Sequence, residues 1–210
     1  MEQPADLLFE LKTVQATALR SLIELCKEWL TDVNLSVTPG VGIKLITMDS
    51  SKVSMIHCEL DAVNFESFSC TKPLVLGVNM TSLFKLVKSV TSNDVLCMYL
   101  TAADPHQLGI RIDSPERKSS TKYSLKLLDI DEDPISVPRL KMDSTISLSA
   151  VDFQRLMRDM SAIGTSCRFR LNGSTLTLSC SGDFATQETT LNMANEEVEG
   201  ENKDLVIDNT

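Results

Sequence analysis

The sequence predicts an α+β protein built from repeated units, each of which combines a short helix with several antiparallel strands. Three stretches have apolar residues spaced three, four and seven apart, as in a helix with one buried side. Between them apolar and polar residues alternate with a period of two, which indicates strands with one buried face. A strand, a helix and several strands follow one another from Leu8, from about Leu74 and from Thr145. This order indicates an internal repeat of roughly 60 residues with the helices on a shared face.

The three predicted helices cover residues 17–30, 81–90 and 149–163. Thr17, Thr81 and Ser149 are the expected N-caps, because their side-chain oxygens accept hydrogen bonds from free backbone amides. In each helix two basic residues lie off the apolar stripe. For any one helix this pattern more often marks only a solvated face, but its recurrence in a chain of net charge −9 favours a surface reserved for a polyanion such as DNA. The six residues are Arg20, Lys27, Lys85, Lys88, Arg155 and Arg158.

The alternation predicts short strands that are joined by turns rich in Gly, Pro, Asn and Asp. Asn172-Gly173 lies between two alternating runs and predicts a hairpin. His57 also falls in a strand, and residues 204–208 form a further one. The main predicted strands are residues 9–12, 34–37, 43–48, 95–100, 109–112, 123–127, 146–148, 168–171, 175–179 and 188–191.

The composition is that of an ordinary globular protein. Of the 210 residues, 42% are apolar and 23% charged, and no apolar run is long enough to cross a membrane. The first residues lack the basic and apolar regions of a signal peptide. The six cysteines show no CxxC spacing, so we expect reduced thiols in an intracellular protein.

Residues 129–138 predict a strap between two domains that cover residues 1–128 and 139–210. The segment combines acidic residues with Pro134 and Pro138, and proline favours extended backbone over helix. Its apolar residues Ile135 and Val137 flank Ser136. These two side chains either pack against their own domain or offer apolar surface to a partner, and the sequence leaves both interpretations open.

No arrangement of residues that supports catalysis is evident. His57 and His106 are the only histidines, and neither lies in a metal-binding or nucleophile motif. The sequence has no glycine-rich phosphate loop, HExxH or GxSxG motif. We therefore predict a protein that is not an enzyme and that requires no metal or other cofactor.

Four stretches resemble the proliferating cell nuclear antigen family of eukaryotic-type DNA sliding clamps. They are residues 42–53 (GIKLITMDSSKV), 77–88 (GVNMTSLFKLVK), 126–129 (KLLD) and 153–164 (FQRLMRDMSAIG). The resemblance implies a DNA-clamp fold of two similar domains, with antiparallel strands outside and short helices lining a central channel. It also implies a homotrimeric ring in the nucleus that encircles double-stranded DNA and acts as a DNA polymerase processivity factor. The implied partners are a clamp loader, DNA polymerase and other replication and repair proteins with a PIP-box motif, and no membrane.

The resemblance assigns three sets of residues. On the DNA-facing side it places Lys12, Arg20, Lys27, Lys85, Lys88, Arg155 and Arg158. Around the pocket for PIP-box partners it places Met48, Lys52, Val53, Met55, Ile135, Val137 and Pro138. At the joint between subunits, where residues 122–127 pair with a neighbour's residues 186–192, it places Tyr123, Leu125, Leu127, Thr189 and Leu191.

The sequence departs from the family pattern at several points. Lys52 stands where histidine is common and Pro134 where glutamine is typical, which adds charge at the pocket and stiffens the strap. The resemblance also implies a fourth helix unit after Thr210, so the second domain is expected to be incomplete. Two alternatives remain open: a checkpoint-type clamp subunit of a heteromeric ring, and a β-rich interaction or decoy module that binds clamp partners without encircling DNA.

Overall fold

The computed structural model describes residues 6–48, 55–131, 135, 144–192, 198–200 and 203–208. It contains two compact units, Met1–Ser136 (unit 1) and Val137–Thr210 (unit 2). The predicted pocket residues Lys52, Val53, Val137 and Pro138 lie outside the described residues.

The described residues of unit 1 form two antiparallel sheets and two helices. In chain order its elements are β1 (Leu7–Thr13), α1 (Ala16–Trp29), β2 (Asp32–Thr38), β3 (Gly42–Met48), β4 (Met55–Asp61), a 3₁₀ turn (Ala62–Asn64), β5 (Ser67–Cys70), β6 (Leu74–Asn79), α2 (Met80–Val87), β7 (Val95–Thr101), β8 (Gln107–Ser114) and β9 (Ser119–Lys126). One sheet has the order β5-β1-β7-β8-β9, and the other has the order β4-β3-β2-β6. The strand β9 is therefore an edge strand.

In unit 2 the described part of the chain forms one helix and two antiparallel sheets. Its elements are β10 (Ser144–Ile146), α3 (Ala150–Ser161), β11 (Ser166–Asn172), β12 (Thr175–Ser181), β13 (Thr186–Asn192), β14 (Val198–Gly200) and β15 (Lys203–Asp208). The larger sheet has the order β13-β12-β11-β15, and β10 pairs with β14. The strand β13 is an edge strand of the larger sheet.

One apolar core joins both sheets and both helices of unit 1. Phe9 and Leu11 of β1 are fully buried and belong to the same cluster as Ile23 of α1 and Leu83 of α2. Because side chains alternate along a strand, residues 10 and 12 point to the opposite face of this sheet. The helices therefore cover one face of the five-stranded sheet, and its other face carries the half-buried Glu10, the exposed Lys12 and the buried Cys97.

The predicted elements are found with changes in their bounds, and two strands are additional. The strand β4 had been indicated through His57, whereas β5 and β14 were not predicted, although the four residues of β5 (SFSC) alternate polar and apolar side chains. The predicted hairpin at Asn172-Gly173 is confirmed, because Asn172 pairs with Thr175 across β11 and β12. Gly173 adopts φ +54°, a conformation that glycine tolerates without strain.

Two of the three predicted helix caps are wrong. The N-cap of α1 is Gln15, which makes no side-chain capping bond, and α2 is capped by Asn79, whose Oδ1 accepts from the Ser82 N–H at 2.8 Å. Both helices begin one residue earlier than predicted. Ser149 is the N-cap of α3 as predicted, but its hydroxyl makes no capping bond. The α2 helix also ends earlier, at Val87.

Candidate DNA-facing and partner-binding surfaces

The helices of unit 1 form an antiparallel pair. Near the start of α1, Arg20 Nη1 donates to the carbonyl oxygen of Val90, which follows α2, at 2.9 Å. Near the end of α1, the Lys27 ammonium lies 4.8 Å from the ring centroid of Phe84 in the middle of α2. The pair places the basic residues of both helices within one layer.

A buried carboxylate fixes the turn that receives Arg20. Asp94 is almost fully buried and accepts from the Thr91 N–H at 2.8 Å and from Ser114 Oγ at 2.5 Å. It also accepts from Arg117 Nη2 at 3.2 Å. Burial raises the pKa of Asp94, but these donors and the Arg117 charge outweigh it, so the pKa lies below its usual value. The Val90 carbonyl is thereby held in place at the end of α2.

The two cations of α1 are engaged within the protein. Both Arg20 and Lys27 are half-buried, and Lys27 also forms an ion pair with Glu28. The outermost side of α1 is acidic and apolar: Leu25 is 60% and Trp29 59% exposed, and Glu24 and Glu28 are exposed beside them. This side of α1 presents no cation to solvent.

The helices α2 and α3 present their cations differently. Lys85 and Lys88 on α2 and Arg158 on α3 are exposed, and none of these three side chains has a hydrogen-bond or ion-pair partner among the described residues. Arg155 is also exposed and bonds Asp152 Oδ1 at 3.2 Å in the first turn of α3. An exposed cation without an internal partner is free to contact a phosphate.

Lys12 lies on a different side of unit 1 from the helical cations. It is exposed on β1, between the buried Leu11 and Thr13, and it pairs in register with Cys97 of β7. Since Leu11 faces the helices, Lys12 faces away from them. Lys12 thus lies on the face of β1 opposite the helices, and its assignment to the DNA-facing side stays a prediction.

Two of the predicted pocket residues are direct neighbours. Met48 of β3 and Met55 of β4 are register partners, and they are 36% and 39% exposed. Ile135 is half-buried. Methionine is flexible and polarizable, so an exposed pair of methionines adapts readily to an apolar partner.

The predicted joint residues share the same pattern on both edge strands. On β9, Tyr123 and Leu125 are half-buried and alternate with the exposed Lys122, Ser124 and Lys126. Leu127 follows the strand, and its N–H donates to the His106 carbonyl at 2.9 Å. On β13, half-buried residues again alternate with exposed ones; the half-buried ones are Gln187, Thr189 and Leu191, and the exposed ones include Glu188 and Thr190.

No metal centre or activated nucleophile is found in the described part of the chain. Its His, Cys, Asp and Glu residues form no group of three or more that could hold an ion. Burial raises the pKa of the Cys26, Cys58, Cys70 and Cys167 thiols, and it raises that of Cys97 to about 11. These thiols are protonated at neutral pH and are poor nucleophiles. None of the described helices has the length and apolar character needed to span a membrane.

Comparison with known proteins defines the class to which this fold belongs. The model of the proliferating cell nuclear antigen N-terminal domain matches residues 8–135, and the model of the C-terminal domain matches residues 136–210. The chain is 36% identical over 188 residues to the probable DNA polymerase sliding clamp 1 of Paramecium bursaria Chlorella virus 1, which covers 88% of this chain and 71% of that relative. It is 30% identical over 184 residues to the proliferating cell nuclear antigen of Chaetomium thermophilum, covering 88% of this chain and 70% of that relative.

The two matched domains and the antiparallel sheets make this chain a DNA sliding clamp, the class of DNA polymerase processivity factors. It belongs to the proliferating cell nuclear antigen family. The resemblance predicted from the sequence and the fold class that it implied are confirmed. Members of this class hold a polymerase on DNA without catalysing a reaction themselves.

Proposed function

We propose that this chain assembles into a homotrimeric ring that encircles double-stranded DNA in the nucleus, without enzymatic activity of its own. A clamp loader places the ring on DNA, and DNA polymerase and other PIP-box proteins bind to it. The observation that supports this most strongly is the set of exposed cations Lys85, Lys88 and Arg158, which have no partner in the described part of a chain with net charge −9.

These cations suit contact with phosphates rather than with bases. Lysine and arginine side chains on helices bind the uniform charge of the backbone, and such contacts carry no sequence information. A ring held in this way slides, because each contact is weak and every position along the duplex is equivalent. Arg155 contacts a phosphate once its bond to Asp152 is broken. Arg20 and Lys27 mainly make contacts within the pair of helices α1 and α2.

The ring closes, in this proposal, by pairing of β9 with β13 of another copy. An edge strand presents unpaired backbone groups that a neighbouring edge satisfies. The faces of the two strands match when Tyr123 lies opposite Leu191, because the half-buried residues then share one face. The same antiparallel register places Leu125 opposite Thr189, and it places Lys126 opposite Glu188 on the exposed face. Opposite charges at directly facing positions stabilise a strand pair.

A charge exchange tests both the joint and its register. Lys126→Glu should shift the ring toward monomers in sedimentation velocity, and adding Glu188→Lys to it should restore the ring. Lys122→Glu is the matched control, because this register places Lys122 opposite Asn192 and away from Glu188. Failure of the double variant to assemble would contradict the register. Assembly of the unchanged chain only with other clamp subunits would indicate the checkpoint-type heteromeric ring, and a stable monomer would indicate the decoy module.

Partner binding is assigned to the apolar surface near Met48, Met55 and the strap. A PIP-box peptide carries aliphatic and aromatic side chains, and burying one of them contributes roughly 1.5–3 kcal/mol. Ile135→Asp places a charge where this burial is expected and should weaken binding in calorimetry by at least about tenfold. Val63→Asp is the matched control, because Val63 is 87% exposed in the 3₁₀ turn and belongs to none of the proposed surfaces. Equal affinity of the two variants would contradict the assignment of Ile135.

A further inference from the structure

The start of the strap lies on a cross-strand pair of unit 1. Asn34 of β2 and Gly77 of β6 are register partners. Their neighbours Val33, Leu76 and Val78 are buried in the core, so positions 34 and 77 are directed to the other face of the sheet. We call this pair the strap seat.

Three hydrogen bonds hold the start of the strap and the two residues that precede it. The Leu127 N–H donates to the His106 carbonyl at 2.9 Å, and the Leu128 N–H donates to the Gly77 carbonyl at 2.8 Å. Asn34 Nδ2 then donates to the Ile130 carbonyl at 3.1 Å. The backbone from residue 127 to residue 130 is thereby fixed, although it belongs to no regular strand except for the bridge between Leu128 and Gly77.

The absence of a side chain at Gly77 permits this approach. A Cβ atom at position 77 would overlap the Leu128 carbonyl oxygen, and it would lie 3.3 Å from Ile130 Cδ1. Any residue with a side chain would therefore move the strap away from the sheet. Glycine in a strand interior often marks such a close approach of another backbone.

We infer that the strap seat positions the strap for partner binding, with Asn34 and Gly77 as positioning residues that do not themselves touch the partner. The inference rests on the proposed role of Ile135. Only five residue steps separate Ile130 from Ile135, a span of at most about 17 Å for extended chain. Anchoring the Ile130 carbonyl therefore holds Ile135 within this distance of the strap seat. A preorganised strap loses less conformational freedom when a partner binds, so the partner binds more tightly.

Two variants at Asn34 test the seat without disturbing the core. Asn34→Ala removes the donor to Ile130, and Asn34→Asp keeps the shape but directs an acceptor at the Ile130 carbonyl. We expect a synthetic PIP-box peptide to bind the first variant roughly 3- to 10-fold more weakly and the second at least as weakly, as measured by calorimetry. Asn93→Ala is the matched control, because it removes an exposed asparagine bond to Glu116 that lies outside the strap.

Hydrogen exchange separates positioning from general destabilisation. The Leu128 amide should exchange faster in both Asn34 variants, while amides of the core strands β7 and β8 keep the protection found in the Asn93 control. Gly77→Ala should give the same local change with a larger loss of affinity, and the Asn34 variants remain informative if Gly77→Ala fails to fold.

The outcomes distinguish the seat from the proposed function. Faster exchange at Leu128 together with weaker peptide binding supports the inference. Unchanged peptide affinity in both Asn34 variants overturns it and leaves the proposed partner surface intact. If the unchanged chain does not bind the peptide at all, the proposed partner surface is wrong and the inference fails with it.

Discussion

The two helices of unit 1 lie side by side, and each has two basic residues when Lys88 at the C-cap of α2 is counted, yet only α2 exposes its cations to solvent. Lys85 and Lys88 of α2 are exposed and free of partners among the described residues. Arg20 of α1 binds the Val90 carbonyl, and Lys27 lies against Phe84 and Glu28. The outer side of α1 is formed by acidic and apolar residues instead.

This difference shows that the position of a cation on a helical wheel does not decide its role. A residue beside the apolar stripe lies at the boundary between core and solvent, and a neighbouring helix can capture it there. Arg20 and Lys27 lie at this boundary and join α1 to α2. Lys85 and Lys88 lie further from the core of unit 1, so their charges remain available to a polyanion.

Removing the free cations together should have the largest effect on DNA. We expect the triple variant Lys85→Ala, Lys88→Ala and Arg158→Ala to bind a labelled duplex roughly 10- to 100-fold more weakly at moderate salt. The slope of log affinity against log salt should become shallower by at most about three, because each lost phosphate contact contributes about one. Fluorescence anisotropy at several NaCl concentrations measures both quantities. An unchanged slope would contradict the assignment of α2 and α3 to the DNA-facing surface.

Arg20→Ala should have the opposite effect: it should lower the stability of the protein and leave the salt dependence of DNA binding nearly unchanged. The variant loses a charge-assisted hydrogen bond between the helices, which we expect to lower the free energy of unfolding by about 1–2 kcal/mol in urea titrations. Its salt slope for DNA should stay close to that of the unchanged chain. Lys88→Ala is the matched control, with a change in stability within about 0.5 kcal/mol because its side chain is exposed and contacts no partner among the residues that the structure describes. A shallower salt slope without destabilisation would place Arg20 at the DNA after all.

Much of the fold follows from the sequence because each local pattern reports on one strand or helix. The stripes in residues 17–30 and 149–163 and the hairpin at Asn172-Gly173 depend on neighbours within a few positions. The wrong caps have an equally local cause: Asn79 is itself a strong cap former that directly precedes α2, so it was available as a signal. The short strand β5 also had such a signal, because its four residues SFSC alternate polar and apolar side chains.

The candidate site was less predictable, because the state of a side chain depends on distant residues. The alternation of side chains along β1 is enough to show that Lys12 faces away from the helices, because the apolar residues 9 and 11 define the buried face of this strand. The partner of Arg20 lies 70 residues away, and no local pattern reveals it. The seat of the strap is also non-local, because Asn34 bonds a carbonyl 96 residues further along the chain.

The caps of the two helices offer a smaller test of the same comparison. Asn79→Ala removes the side-chain acceptor for the Ser82 N–H and a 2.7 Å bond to Asp32. We expect a loss of about 1 kcal/mol in the free energy of unfolding. The corresponding change at α1, Gln15→Ala, should be nearly neutral because Gln15 makes no capping bond. Equal losses in the two variants, measured by urea titration, would mean that the observed caps do not govern helix stability.

Neutralising the acidic side of α1 should change the affinity for DNA least, and the direction of that change tests whether α1 faces the duplex. The double variant Glu24→Gln and Glu28→Gln removes two exposed negative charges from the layer that also carries Lys85 and Lys88. It also releases Lys27 from its ion pair with Glu28. If α1 faces the duplex, repulsion of the phosphates decreases, and affinity for DNA should rise about 2- to 3-fold at low salt.

This gain should vanish as salt is raised, because exposed charges are screened beyond roughly 10 Å at 0.1 M ionic strength. Glu116→Gln is the control, since it removes one exposed acidic charge from the loop between β8 and β9. A gain in log affinity more than twice that of this single-charge control would place α1 within the DNA-facing layer despite its acidic surface. Equal gains per charge removed would mean that only net charge matters, and the cations of α2 would then act without any contribution from α1.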